Sequence, residues 1–392
     1  MDGRMDVFRA RHEKVRARMR EEGFDALIAY SNAKARGCVR YLGDYFVRAV
    51  GAQTRPDGSY YSFGNCAVLF PLEGDPVLVT DQPWDIGRAQ ELSVIDGTYY
   101  QADIGADFAG RIAEAGYERV GIDNWFIFPA MHFLPLLALT GRTSFVPTML
   151  IEDTYRVKGA DEIAMIRAAE TIGVHAVMAG CESVHVGAAE HEFAMVAESV
   201  MREEGDLELA ASSIVAGGGV NTSKASGLPT HGSSYVMKSG DWAMFDICPS
   251  YQGYAGDICR MVVAGSMSDL DPDLKKLYDA TLAMNEAVIA MIRPGVTPLE
   301  MNQVAYEVAE AHGVAKYKIP LLGHSLGLDI HDPPDYYYDG SPLEESMTIT
   351  VEPCLLVPGV AGTRVEDVVL VTADGCEVLS ADAPKDLRAT GS

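Results

Sequence analysis

The stretch GHSLGLDIHDPP, residues 323–334, carries His324 and His331 seven residues apart (331 − 324) in a chain with nine histidines. A continuous helix would set both rings on one face, but Gly323, Gly327 and the Pro333–Pro334 pair break such a helix and predict a loop shaped around a ligand. Two paired sets of acids accompany it. Asp246 and Asp257, 11 residues apart (257 − 246), lie on the arms of a predicted hairpin, DWAMFDICPSYQGYAGDICRMVVAG, that turns near Gln252–Gly253. With an even number of loop residues, the alternation of side chains places both carboxylates on one face. Glu352 and Glu366, 14 apart (366 − 352), flank a second predicted turn, Pro358 to Gly362, within MTITVEPCLLVPGVAGTRVEDVVLVT. Four carboxylates between apolar strands repel one another and resist ionisation unless positive charge compensates them. Two divalent cations supply that charge, and one neutral histidine completes the shell. Oxygen ligands with a single imidazole favour manganese, cobalt, iron or zinc over copper or a thiolate zinc site. Two such ions bridging a water lower its pKa and polarise a carbonyl, which is the chemistry of hydrolysis.

Taken singly, these features are weak. A pair of acids on a hairpin is most often solvated or salt-bridged, and a histidine in a glycine-rich loop most often caps or packs. The metal reading rests on their combination, in this order, on two matched hairpins.

The elements that must position these residues fall into two parts. Residues 7–22 read as a basic amphipathic helix closed near Gly23, followed by the apolar run Ala26 to Tyr30. Further strand-like runs, Asn65 to Phe70, Pro76 to Val79 and Arg119 to Ile122, alternate with helical patterns such as Ile104 to Ala115. Residues 1–152 are therefore expected to form an α/β domain. Residues 153–392 are expected to form an α+β domain in which helices near 160–182 and 187–204 lead to the first hairpin. Helices near 270–292 and 297–313 lead to the second. Two helix-helix-hairpin halves predict a pseudo-two-fold domain with a site between the hairpins.

The whole chain, 392 residues with 48% hydrophobic composition, is long enough to bury two such cores. Its 31 basic residues against 56 acids give a net charge of -25, which repels phosphate backbones and anionic lipids and argues against nucleic-acid or polybasic membrane partners. The charged opening MDGRMDVFRARHEKVRARMREEG lacks the apolar core of a signal peptide, and the most apolar segment, FIFPAMHFLPLLALTG, is short and interrupted. A cytoplasmic location is expected. The seven cysteines (Cys38, Cys66, Cys181, Cys248, Cys259, Cys354, Cys376) are scattered without a CxxC pair, so free thiols are expected rather than disulfides or a thiolate site.

On these residues the chain resembles metallopeptidase family M24, the pita-bread fold of prolidases, Xaa-Pro aminopeptidases, methionine aminopeptidases and creatinases. Its layout is most similar to the creatinase, prolidase and aminopeptidase P branch. The likeness runs from RHEKVRARMREEGFDALIAYS through the VEP and RVEDVVLVT motifs. It implies a creatinase-like α/β domain followed by a pita-bread catalytic domain, and an Xaa-Pro dipeptidase or aminopeptidase-like hydrolase. It further implies that Asp246, Asp257, His324, Glu352 and Glu366 bind two metal ions, manganese first among them, with Asp257 and Glu366 bridging the pair. By the same resemblance His331 contacts the substrate or its tetrahedral intermediate, and His231, in GLPTHGSSYV, stands at the mouth of the pocket. Glu352 doubles as general acid and base, Arg364 and Asp367 orient the ligands, and a homodimer is expected.

Departures from the family pattern bear on the substrate. Where prolidases commonly carry an arginine after the second histidine, this chain reads HDPPD, with Asp335 there. Cys354 follows the glutamate-proline pair in place of glycine, Ser325 stands in GHSLG, and Tyr336 to Tyr338 form a triplet. These changes keep open a hydrolase or lyase acting on a small metabolite such as creatine, ectoine or dimethylsulfoniopropionate. A non-catalytic binding protein of the same fold is the remaining alternative, against which stands the presence of all five ligand positions.

Overall fold

The computed structural model describes residues 2–48, 64–211, 215–224, 234–320, 322–335 and 340–391. The chain divides into two compact units, Met1–Tyr155 and Arg156–Ser392. The expected division after residue 152 falls inside the short helix Leu150–Tyr155.

In the first unit the opening helix begins earlier than its apolar pattern suggests, at Asp2, and runs to Glu22 with Phe8, Val15 and Met19 buried. It leads into Ala26–Asn32, an inner strand of a six-stranded sheet. The spatial order is Gly97–Tyr100, Val77–Thr80, Asn65–Pro71, Ala26–Asn32, Arg119–Asp123, Ser144–Thr148. Ala26–Asn32 pairs antiparallel with Asn65–Pro71 and parallel with Arg119–Asp123, which makes the sheet mixed. The helix Ile104–Ala115 starts on Asp103, whose side chain accepts the Ala106 N–H, and stops at Gly116 with φ 71°; both are ordinary helix punctuation.

This unit buries an acid pair. Asp123, at the end of its strand, accepts the Ile151 N–H at 3.0 Å and lies against Glu152, with both residues almost wholly buried. Burial and then the neighbouring Glu152 push the Asp123 carboxyl well above the usual carboxylate range. A folded-state pKa above the unfolded one contributes stability that is present at low pH and lost as pH rises through the folded value. Asp123→Asn is therefore expected to flatten the fall in stability that the wild type shows above about pH 4, the ordinary carboxylate range. Urea unfolding at several pH values checks this, and parallel curves for the two proteins would contradict it.

The second unit repeats one pattern twice. Helices Ala160–Ser183 and Glu190–Glu204 pack together and lie against strands Trp242–Ile247 and Ile258–Val263. Helices Pro272–Met291 and Pro298–Ala311 likewise pack together, and Pro272–Met291 lies against Thr348–Val351, Cys354–Val357 and Ala361–Arg364. The last helix opens on a capping box: Thr297 accepts the Glu300 N–H while the Glu300 carboxylate accepts the Thr297 N–H, with Pro298 at the first position. The first hairpin is buried on both faces. Ala243, Phe245, Ile247 and Ile258 join Phe193 and Ala197 under the first helix pair, whereas Trp242, Met244, Met261 and Val263 join Ile349, Val351, Val369 and Met284 in the larger core. Strands covered on both sides read as nearly continuous apolar runs, which is how DWAMFDI and ICRMVV read.

The second hairpin departs from expectation in being interrupted. Thr348–Val351 and Asp367–Val371 belong to a five-stranded sheet, while Cys354–Val357 and Ala361–Arg364 form a separate pair. Pro353 supplies the reason, because it has no N–H for the ladder at that point.

Candidate metal centre

The first hairpin pairs in register from Trp242↔Val263 to Ile247↔Ile258, with Asp246 opposite Cys259. It closes at Tyr251↔Tyr254 around Gln252 and Gly253. Both have positive φ, 49° and 79°, as a type I′ two-residue turn requires. The loop is even, so Asp246 and Asp257 emerge on one face, as the spacing predicts.

On the second hairpin one register continues across the break, from Val351↔Asp367 to Cys354↔Arg364, so Glu352 stands opposite Glu366. Their backbone groups find other partners. The Glu352 N–H donates to the Leu322 carbonyl at 2.8 Å, and the Glu366 N–H donates to the Cys259 carbonyl at 3.2 Å. The latter bond stitches the second hairpin to the first, residue for residue with the position opposite Asp246. Asn285, on the helix behind, donates from Nδ2 to the Val351 and Val365 carbonyls at 2.9 and 3.4 Å. It thus holds the residues just before both glutamates. In the first half Glu170, also on a long helix, accepts the Asp257 N–H at 3.0 Å.

The side chains converge. His324 Nε2 lies 3.6 Å from Asp257 Oδ2 and 3.4 Å from Glu352 Oε1. Its Nδ1 lies 3.0 Å from the Ser325 carbonyl. A proton on Nδ1 satisfies that contact and leaves the Nε2 lone pair facing the acids. Arg364 Nη1 is bonded to Asp246 Oδ2 and lies 3.2 Å from Glu352 Oε2. One ligand atom each from Asp257, His324 and Glu366 fall within 4.8 Å of one another, and the same holds for Asp246, Cys248 and Asp257. His331, which is exposed, packs its ring edge-on against His324 with centroids 4.0 Å apart.

The electrostatics describe a cluster short of positive charge. Burial, followed by the charges of the neighbouring acids, pushes Asp257 and Glu366 well above the usual carboxylate range. Asp246 and Glu352 are also raised by burial, with Arg364 pulling against it. His324 is pushed down to about 4 by burial, so its imidazole is neutral. Both carboxylate oxygens of Glu366 are buried without a hydrogen-bond partner, a costly state for a polar group. Hard oxygen donors, a neutral imidazole, mutual repulsion and orphaned oxygens together fit divalent metal ions.

The remaining expected site residues are distributed unequally. Asp367 is buried and faces away from the cluster: it ion-pairs with Arg260 Nη2 at 2.7 Å and Lys385 Nζ at 2.6 Å. Arg260 Nη1 also donates to the Glu366 carbonyl at 2.6 Å, so Asp367 bears on that ligand through Arg260. The pair with Arg260 is buried rather than on the surface. Asp335 pairs its backbone with that of His324. His231 and Tyr336 to Tyr338 lie outside the described residues.

Five further residues take part without a clear signal in the sequence. Cys248 is one of the scattered cysteines expected as free thiols, yet it lies two residues beyond Asp246 and therefore on the same face. Glu170, Asn285 and Lys158 carry no motif, being single polar residues in helices and loops, and Asp332, within HDPPD, gives no sign in the sequence of its buried partner Lys158. Lys158 Nζ donates to Asp332 Oδ2 at 3.2 Å and to Ser325 Oγ at 3.3 Å. One ammonium thus ties the residue after His324 to the residue after His331. Gly327 leaves room for this contact, since a Cβ there would come within 2.6 Å of Asp332 Oδ2 and 2.8 Å of Lys158 Cε.

Comparison with known proteins bears on this geometry. A profile of metallopeptidase family M24 matches residues 164–373. An Xaa-Pro dipeptidase from Pyrococcus horikoshii is 33% identical over 360 residues, covering 89% of this chain and 97% of that one. An Xaa-Pro dipeptidase from Pyrococcus furiosus is 34% identical over 234 residues, 59% of this chain and just under two thirds, 65%, of its own length. Among solved structures, the prolidase from Pyrococcus horikoshii superposes with a TM-score of 0.79 at 25% identity, covering 95% of this chain and 98% of that one. An X-Pro aminopeptidase from Thermotoga maritima superposes with a TM-score of 0.81 at 22% identity, covering 96% and 99%, and shares the fold.

Proposed function

The chain belongs to metallopeptidase family M24 and has its pita-bread fold, and on that premise we propose that it is an Xaa-Pro peptidase hydrolysing the amide bond before proline. The observation that carries this reading is the cluster of Asp246, Asp257, His324, Glu352 and Glu366, in which Glu366 has two orphaned oxygens. The Xaa-Pro dipeptidase relatives favour a peptide over creatine, ectoine or dimethylsulfoniopropionate. A purely binding role is not supported, because all five donor positions are filled.

The five donors would hold two divalent ions, which lower the pKa of a water they bind and polarise a scissile carbonyl. Taken alone, this oxygen-rich set suits manganese, with cobalt, iron and zinc also compatible. The chain's own groups do the rest. Glu352, held between His324 Nε2 and Arg364 Nη1, accepts a proton at its carboxylate and returns it to the leaving nitrogen. Arg364 keeps Asp246 and Glu352 in place and offsets part of their charge. His331, exposed beside His324, donates a ring N–H to the oxygen that gains charge as the carbonyl is attacked.

A homodimer and a cytoplasmic location complete the reading. The apolar side chains of Trp125, Phe126, Leu134 and Leu137, exposed on the first unit, support the first. The net charge of -25 and free thiols support the second.

The test is release of free proline from Xaa-Pro dipeptides. Proline release that a chelator abolishes and added manganese restores is the expected result. Metal-loaded protein that leaves every Xaa-Pro dipeptide intact while turning over a small non-peptide metabolite would overturn the peptidase reading.

A further inference from the structure

We propose that the thiol of Cys248 is a sixth donor to the cluster and draws a thiophilic divalent cation, such as cobalt or zinc, to the side of the site formed by Asp246 and Asp257. The inference rests on the metal reading of that cluster and deepens it. Cys248 follows Asp246 by two residues, and the hairpin register that sets Asp246 opposite Cys259 sets Cys248 opposite Asp257. Its Sγ donates to Asp257 Oδ1 at 3.4 Å. Two donors at about 2.3 and 2.1 Å from one ion in tetrahedral geometry stand about 3.6 Å apart, so this sulfur and oxygen are already spaced as ligands of a shared ion. Ligand atoms of Asp246, Cys248 and Asp257 all lie within 4.8 Å of one another. Independently, Glu366, beside them and 1% exposed, presents two buried oxygens without a partner.

Coordination is balanced simply. The S–H bond of Cys248 breaks, its proton passes to the buffer, and a sulfur-metal bond forms with no change of oxidation state. A soft sulfur among hard oxygens shifts preference away from manganese and towards cobalt or zinc.

Cobalt(II) titration of the stripped full-length protein tests the proposal, with binding measured by equilibrium dialysis and coordination by absorption. The expected result is a sulfur-to-cobalt charge-transfer band in the near ultraviolet. Cys248→Ser is expected to lose the band and to bind cobalt about ten- to a hundredfold more weakly, while manganese binding changes by about twofold or less. Cobalt bound without the band would leave the metal cluster standing and overturn the role of Cys248. A band that survives in Cys248→Ser would assign the sulfur to another cysteine and overturn it equally. Absence of cobalt binding would overturn the cluster itself. A measurement on the wild type guards against a misfolded variant: peptide mass spectrometry should show Cys248 alkylated at least about tenfold more slowly with cobalt than without, and equal rates would contradict the proposal.

Discussion

Replacing Glu366 by glutamine is expected to lower amide hydrolysis about a thousandfold or more, an effect of roughly 4 kcal/mol on the barrier, while making the metal-free protein more stable at alkaline pH. Both effects come from one position. Glu366 stands opposite Glu352 and beside Asp257, and its orphaned oxygens are the donors that two ions would share. Glutamine keeps the shape but gives up the charge that holds a cation. In the metal-free protein the same charge is a burden, because burial and the adjacent Asp257 raise the Glu366 carboxyl. A raised folded pKa means stability present at low pH and lost as pH rises through that value. The wild-type apoprotein should therefore weaken from about pH 4 upward, Glu366→Gln should weaken less, and added metal should reverse the loss in the wild type alone. Thermal unfolding across pH, with and without manganese, reads all three. Full activity in the variant, or a steeper pH dependence than the wild type, would contradict the account.

Lys158→Met is expected to destabilise the second unit by about 3–5 kcal/mol, the usual consequence of leaving a buried charge without its partner. Lys158 is 1% exposed in its side chain and Asp332 is 0% exposed. Burial pushes Asp332 up, and Lys158 is the strongest influence opposing it. Pairing the change with Asp332→Leu removes the stranded acid, so the double variant should recover most of the loss. Catalysis should not recover with it. The ammonium ties Ser325 to Asp332, and these residues adjoin His324 and His331, so the double variant should keep the fold and still show a lower kcat. Urea unfolding and proline-release kinetics on the single and double variants measure both parts. A single variant within about 0.5 kcal/mol of wild type, the range of an ordinary surface substitution, would show that the pair does not hold the loop.

How much of this was legible in the chain depends on the kind of signal. Asp246 and Asp257 could be placed on one face because alternation and an even turn leave no other choice, and Gln252–Gly253 adopts the geometry that such a turn demands. Glu352 and Glu366 follow the same logic, but alternation alone predicts an unbroken hairpin, and the break comes from Pro353, which has no N–H to give the ladder. Asn285 repairs that interruption from 66 and 80 residues away. Spacing rules describe neighbours within one hairpin, and they are silent on a helix that arrives from elsewhere. The same limit hid Glu170 beneath Asp257 and Lys158 beneath the histidine loop, since each is one polar residue whose partner lies 87 or 174 positions on. Cys248 was hidden differently. Its alternation with Asp246 is visible in the chain, but a lone cysteine with no second thiol nearby carries no signal of a mixed set of donors. Asp367 shows alternation from the other side: being adjacent to Glu366 in a strand, it had to point away, and it meets Arg260 and Lys385 there.

The central claim, that these acids and His324 form a metal centre, is tested most directly by the metal content of the protein purified without chelator and analysed by mass spectrometry. The account predicts close to two divalent transition-metal ions per chain, one for each pair of the four facing carboxylates. A chain that stays metal-free after exposure to manganese, cobalt and zinc would contradict it, leaving Glu366 and its neighbours a buried, protonated cluster without catalytic purpose.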